Sequence, residues 1–261
     1  MHRRTLLLLP LLAQPLQAAE PVPKTTPPPA LPPAPRPGGI LLFGDSTTAP
    51  RGVVKVYAGL IQAALRESDD APDVHNAGVP SNTTVDALKR IQADVLAHRP
   101  RIVVMQFGIN DSTVDVWKKP PATQPRVSLE AYVANYRRLI GLIQDSGARV
   151  ILMTTNPLRW SPRMRELYGR PPYNPEAEDG FEAPFLLRYN QAVRDLAREL
   201  DLPLVDVHAA YPAFAKQHQT DVAGLLPDGA HPGDLGHQLV AGLLLPVLQE
   251  QLRLQGRDKK D

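Results

Sequence analysis

The chain has 261 residues, 43% of them hydrophobic, with no cysteine and a formal net charge of +2 at pH 7. Without cysteine there is no disulfide framework, no thiolate nucleophile, no cysteine-ligated zinc and no lipid-modified N-terminal cysteine. The near-neutral charge, with no basic stripe interleaved with aromatics, argues against nucleic acid as a partner.

The chain opens Met1-His2-Arg3-Arg4, runs through Leu6-Leu7-Leu8-Leu9-Pro10-Leu11-Leu12 and reaches Ala18-Ala19. A basic start, a short apolar core and small residues predict a signal peptide over 1–19, and hence a secreted or periplasmic protein. The Arg3-Arg4 pair admits a twin-arginine route as well as the general one. Spanning a bilayer takes about 20 apolar residues, more than this run offers, so no stable membrane insertion is expected once the segment is removed. A retained N-terminal anchor and a start codon placed too early are the alternatives. Residues 20–38 follow as a proline-rich linker, which cannot build a hydrogen-bonded ladder. A folded domain is expected over 39–255, with a charged tail at 256–261.

Within that domain, short apolar runs alternate with longer helical patterns. Strands are predicted at 40–43, 73–77, 102–107, 150–154 and 203–207, and helices at 53–66, 83–98, 129–146, 185–200 and 235–254. Leu139, Leu142 and Ile143 have the spacing of a helix face laid on a sheet. Ser128 and Asp234 are candidate N-caps, and Asp206 either lines a site or caps the next helix. Five strands alternating with helices imply an α/β class domain: a five-stranded parallel sheet in a three-layer α/β/α sandwich. Ligands of such sheets gather outside the carboxyl ends of the strands.

The chemistry-bearing residues fall at those ends. Gly44-Asp45-Ser46-Thr47 follows the first strand, Asn76-Ala77-Gly78 ends the second, and Gly108-Ile109-Asn110-Asp111 follows the third. Asp228-Gly229-Ala230-His231-Pro232 supplies a carboxylate and an imidazole three residues apart. A serine hydroxyl needs a base to take its proton, and a base needs a partner to fix its tautomer. Ser46, His231 and Asp228 fit those three roles. Charge developing on an ester carbonyl needs hydrogen-bond donors aimed in advance, for which the N–H groups of Ser46 and Gly78 and the Asn110 amide are candidates. Taken singly, each has a plainer reading: a helix-capping serine, an Asp-Gly turn, a turn glycine, an Asx turn. All together at strand ends, they read as a serine esterase.

These blocks, in this order from about Gly39 to the last helix, resemble the SGNH hydrolases, also called GDSL esterases and lipases. The resemblance implies a flavodoxin-like hydrolase fold, with Ser46 as nucleophile, His231 as base and Asp228 as its partner. It implies Ser46, Gly78 and Asn110 as the oxyanion hole, and neither metal nor cofactor. Thr47 stands where the family's nickname has leucine, a form similar to the carbohydrate acetylesterases of the family. A secreted esterase removing small acyl groups, acetyl above all, from a carbohydrate is therefore expected. A lipase, lysophospholipase or thioesterase is the rival within the family, and a non-catalytic carbohydrate-binding protein the rival outside it.

Two long connections, 112–127 and 156–184, should share the rim with Ser46; loops of this length are usually functional or disordered. Their Trp117, Trp160, Arg163 and Tyr173 are candidates to stack on sugar rings or meet hydroxyls, or else plugs that anchor the loops. His75, His98, His208, His218 and His237 offer no i,i+4 pair on a predicted helix, so a metal site is not expected from them.

Overall fold

The computed structural model describes residues 38–66, 71–177 and 180–257. The expected signal peptide, the linker up to Pro37 and tail residues 258–261 lie outside the described residues. Strands β1 (Ile40–Gly44), β2 (Val74–Gly78), β3 (Ile102–Gln106), β4 (Arg149–Met153) and β5 (Leu204–Val205) pair in parallel, in the order β2-β1-β3-β4-β5. That is the five-stranded α/β arrangement the alternating pattern predicts. β3 is central, and the strand order reverses between it and β1, which is where ligands of doubly wound sheets bind.

The alternation of side chains along each strand divides the core into two layers. Leu41, Phe43, Val103, Met105, Val150 and Leu152 face one side and pack under α2 (Thr84–Asp94), α4 (Leu129–Asp145) and α6 (Leu186–Glu199). Ile40, Leu42, Ile102, Val104, Ile151 and Met153 face the other, under α1 (Tyr57–Leu65), α7 (Val207–Gln217) and α8 (Asp234–Arg257). Burial on both faces is why these strands read as unbroken apolar runs. Each such side chain, fully withdrawn from water, contributes about 1.5–3 kcal/mol.

Local signals set most boundaries. Thr83 and Asp86 form a reciprocal capping box at the start of α2, and the Ser128 hydroxyl accepts the Ala131 N–H at the start of α4. Asp206 caps α7 by accepting the Ala209 N–H, which cuts β5 to two residues. That cap produces a helix the sequence pattern did not predict, and one that tolerates Pro212 in its interior. Helix α1 starts at Tyr57, four residues later than expected, because Val53 is 99% exposed and has nothing to pack against. Asp234 is not an N-cap: it lies in the first turn of α8, and its carboxylate accepts the Lys55 N–H at 3.0 Å. Helix α8 also runs on to Arg257, into the expected tail.

Two short helices lie on the rim above the carboxyl ends of the strands, α3 (Ile109–Ser112) and α5 (Pro162–Tyr168). A separate apolar cluster, with Val114, Val116, Leu158, Tyr173 and Phe181 among its members, holds the two long connections down. Among the described residues no helix is long and apolar enough to cross a membrane.

Candidate active site

The turn leaving β1 carries Ser46. The N–H groups of Thr48 and Ala49 donate to the Asp45 carbonyl at 3.2 and 3.0 Å, which folds the chain back and leaves Ser46 half-buried at the rim. The Asp45 carboxyl points inward and is fully buried, an expensive position unless it is hydrogen-bonded. Thr47 meets that need, donating both its N–H and its hydroxyl to Oδ1 at 2.9 Å. Leucine at position 47 would leave part of this acid unsatisfied. Burial raises the Asp45 pKa, and the Thr47 bonds oppose the rise only in part.

The loop before α8 carries Asp228 and His231. Asp228 Oδ1 accepts the N–H groups of Ala230 and His231 at 3.0 and 2.7 Å, so the carboxylate organises its own turn. Gly229 sits at φ +86°, and a Cβ there would stand 2.3 Å from the Arg159 carbonyl oxygen. Neither the conformation nor the space suits a side chain. From the β4 side, Ser161 Oγ donates to the Asp228 carbonyl at 2.7 Å and Asn156 Nδ2 to the Ala230 carbonyl at 2.8 Å.

Asp228 Oδ2 lies 2.7 Å from His231 Nδ1, and His231 Nε2 lies 2.9 Å from Ser46 Oγ. An imidazole that donates from Nδ1 keeps its lone pair on Nε2, where the serine hydroxyl can donate. Burial acts to raise the Asp228 pKa. The His231 ring, its N–H and the Ala230 N–H outweigh that and hold the carboxyl well below the usual carboxylate range. Arg51 Nη2 approaches the same Oδ2 at 3.3 Å, a contact the sequence pattern gave no reason to expect.

On the other side of Ser46, Asn110 opens α3. Its Oδ1 accepts from Arg126 Nη1 at 3.1 Å, which turns Nδ2 inward toward the Asn82 carbonyl at 3.1 Å and Asp45 Oδ2 at 3.3 Å. The next residue, Asp111, is structural: it accepts the Thr84 N–H and hydroxyl at 2.8 and 2.6 Å, tying α3 to the start of α2. Burial pushes the Asp111 carboxyl up to about 6, against the pull of those two bonds.

Gly78 is not available as the second donor. Its N–H donates to Asn76 Oδ1 at 2.9 Å, and it does not line the cavity beside Ser46. What requires glycine there is packing, since a Cβ would stand 2.3 Å from the Ala49 nitrogen. Ser81, three residues on, takes its place at the rim. It adopts the left-handed φ of +65°, lines the cavity with Ser46, Asn110 and His231, and its N–H donates to no backbone carbonyl among the described residues. Pro80 followed by Asn82, just before the Thr83 capping box, was the sequence signal of that turn.

The cavity at Ser46 measures about 300 Å³; Leu158, Met164, Leu167, Tyr168 and Phe181 form its apolar wall. None of the four expected substrate-binding residues borders it. Trp160 packs on Phe181 at 4.9 Å with Arg165 over its ring. Tyr173 is 5% exposed and accepts the Val114 N–H at 2.8 Å. Both anchor loops, while Arg163 pairs with Glu166 at 2.6 Å in solvent. Trp117 borders a second cavity instead, of about 470 Å³. Among the described residues no cluster of three His, Cys, Asp or Glu side chains is placed to hold a metal ion.

A parallel sheet with a serine, an imidazole and a carboxylate converging at its carboxyl edge defines a hydrolytic enzyme of the α/β class. The family model for the GDSL-like lipase/acylhydrolase family matches residues 42–239, and the chain belongs to that family. It is similar to the acetylxylan esterase of Geobacillus stearothermophilus, 30% identical over 213 residues that cover 80% of this chain and 85% of that one. It also resembles the uncharacterized lipoprotein YqeF of Bacillus subtilis (strain 168), 31% identical over 217 residues, covering 77% and 85%. Among solved structures, the lipase/acylhydrolase from Enterococcus faecalis shares the fold, with a TM-score of 0.62 at 23% identity over 82% of this chain and 96% of that one. The protein is a carboxylic-ester hydrolase of the SGNH type, and the resemblance drawn from its motif blocks holds.

Proposed function

We propose that this hydrolase removes small acyl groups, acetyl foremost, from an esterified carbohydrate, through an acyl-enzyme on Ser46. The observation that carries the reading is the hydrogen-bonded line Asp228–His231–Ser46, facing a cavity that the unengaged N–H groups of Ser46 and Ser81 can address. His231 takes the hydroxyl proton as Oγ attacks the ester carbon. Negative charge then grows on the former carbonyl oxygen, where the N–H groups of Ser46 and Ser81 and the Asn110 amide receive it. The 3.3 Å contact from Asn110 to Asp45 is the one this oxyanion replaces. His231 returns the proton to the departing alcohol, then draws one from water, and the attack of that water on the acyl-enzyme releases the acid.

The acetyl and carbohydrate assignments draw support from the likeness to an acetylxylan esterase and from the cavity size. About 300 Å³ is the low end for a small-ligand site and suits a short acyl group with part of its alcohol better than a long lipid chain. The basic, then apolar, N-terminal sequence supports export. Acetate release from acetylated xylo-oligosaccharides, set beside cleavage of acetyl and long-chain p-nitrophenyl esters, tests the substrate. Preference for the long chain would replace this reading with a lipase. Ser46→Ala should abolish turnover and keep the circular dichroism spectrum; turnover retained by that variant would overturn the mechanism.

A further inference from the structure

We propose that the cleft formed by Trp117, Lys118, Gln124 and Arg126 is a saccharide subsite, so that the substrate is an oligosaccharide ester extending beyond the acylated sugar. The inference rests on the esterase reading above and adds the site that would hold the rest of the glycan. The cleft is about 470 Å³ and shares Ser81 and Arg126 with the cavity at Ser46, so one ligand can occupy both.

Trp117 is 44% exposed and is the one aromatic ring among the large exposed hydrophobic side chains of the described residues. The loop does not need it as an anchor, because Val114 and Val116 are fully buried and the Val114 N–H is tied to Tyr173. The indole is nonetheless oriented. Lys118 Nζ, held by Asp115 at 2.7 Å, lies 5.7 Å from its ring centroid.

The polar wall is held equally firmly. Asp115, 3% exposed, accepts Lys118 Nζ at 2.7 Å and the Arg126 fork at 2.7 to 3.1 Å. An open aromatic face beside fixed guanidinium and ammonium donors suits the apolar face and hydroxyls of a pyranose. A lipid chain would need apolar walls on several sides.

Arg126 also gives the cleft a route to the chemistry. The guanidinium that borders the cleft holds Asn110 Oδ1 at 3.1 Å, so a sugar resting against it steadies an oxyanion donor. Binding energy gathered there acts on kcat as well as on KM.

The test compares Trp117→Ala and Trp117→Phe with the parent on acetylated xylotetraose and on p-nitrophenyl acetate. The ratio of kcat/KM on the oligosaccharide to that on the small ester should fall about tenfold or more in Trp117→Ala, as for loss of an aromatic anchor, and largely recover in Trp117→Phe. In parallel, unesterified xylotetraose is titrated into Ser46→Ala with and without Trp117→Ala, and binding should be lost with the indole. An unchanged ratio, or equal losses on both substrates, overturns the subsite, as does binding that ignores Trp117. If Trp117-dependent binding is present but the parent releases no acetate from the bound oligosaccharide, the carbohydrate-ester reading fails and the subsite stands.

Discussion

Arg51 and His231 converge on a single oxygen. Asp228 Oδ2 receives Nη2 of the one at 3.3 Å and Nδ1 of the other at 2.7 Å, which puts the two nitrogens no more than about 6 Å apart. The guanidinium disfavours a protonated His231 by direct repulsion, and by drawing on the charge of Asp228 that would stabilise an imidazolium. Both effects have the same sign: Arg51 opposes a positive charge on the ring. Side-chain exposures of 31% for Arg51 and 38% for Asp228 mean strong screening. With an effective dielectric of about 40 to 80, the repulsion is about 0.7–1.4 kcal/mol.

Among the described residues, Asp45 and His237 also interact electrostatically with the ring. They are unaltered in Arg51→Gln, so that substitution isolates the arginine. Arg51→Gln should raise kcat/KM on p-nitrophenyl acetate by up to about tenfold, because the imidazolium formed during attack loses that repulsion, less so at high salt, and Arg51→Lys should stay close to the parent. An unchanged or lower kcat/KM would refute the electrostatic role.

Asn110→Ala should lower kcat by about 10²- to 10³-fold with little change in melting temperature, the usual cost of one oxyanion donor. Gly78→Ala should do the reverse in kind: its Cβ meets the Ala49 backbone, so melting temperature falls steeply, and a purely kinetic defect would restore Gly78 as a donor. Asp111 gives a pH signature in stability rather than rate. Its folded pKa of about 6 lies above the value of about 3.9 for an unfolded aspartate, so stability is full at low pH and declines as pH rises from about 4 to 6. Asp111→Asn should flatten that decline by up to about 3 kcal/mol in denaturant titrations, and a difference independent of pH would count against the buried acid.

The strands were legible in the sequence because burial on both faces leaves little but Ile, Leu, Val, Met and Phe in 40–43 and 102–105. The pairing of Asp228 with His231 was legible because the carboxylate organises the ring across only three residues, a local arrangement that spacing alone suggests. Helices α5 and α7 were not. The first lies in a proline-studded connection and the second contains Pro212, and each is set by a cap, Ser161 or Asp206, rather than by apolar period. The oxyanion position was misread for a related reason. A glycine at a strand end can serve either close packing or hydrogen-bond donation, and residues far apart in sequence decide which.

Local chemistry in the chain thus determined the layer architecture, the family and the pairing of Asp228 with His231, since each depends on patterns a few residues long. The tertiary structure decided which N–H groups remain free, which aromatic rings are plugs and which face water, and which arginines reach Asn110 and Asp228. Those outcomes depend on distances between loops that meet only after the sheet has brought β1, β2, β3 and β4 side by side.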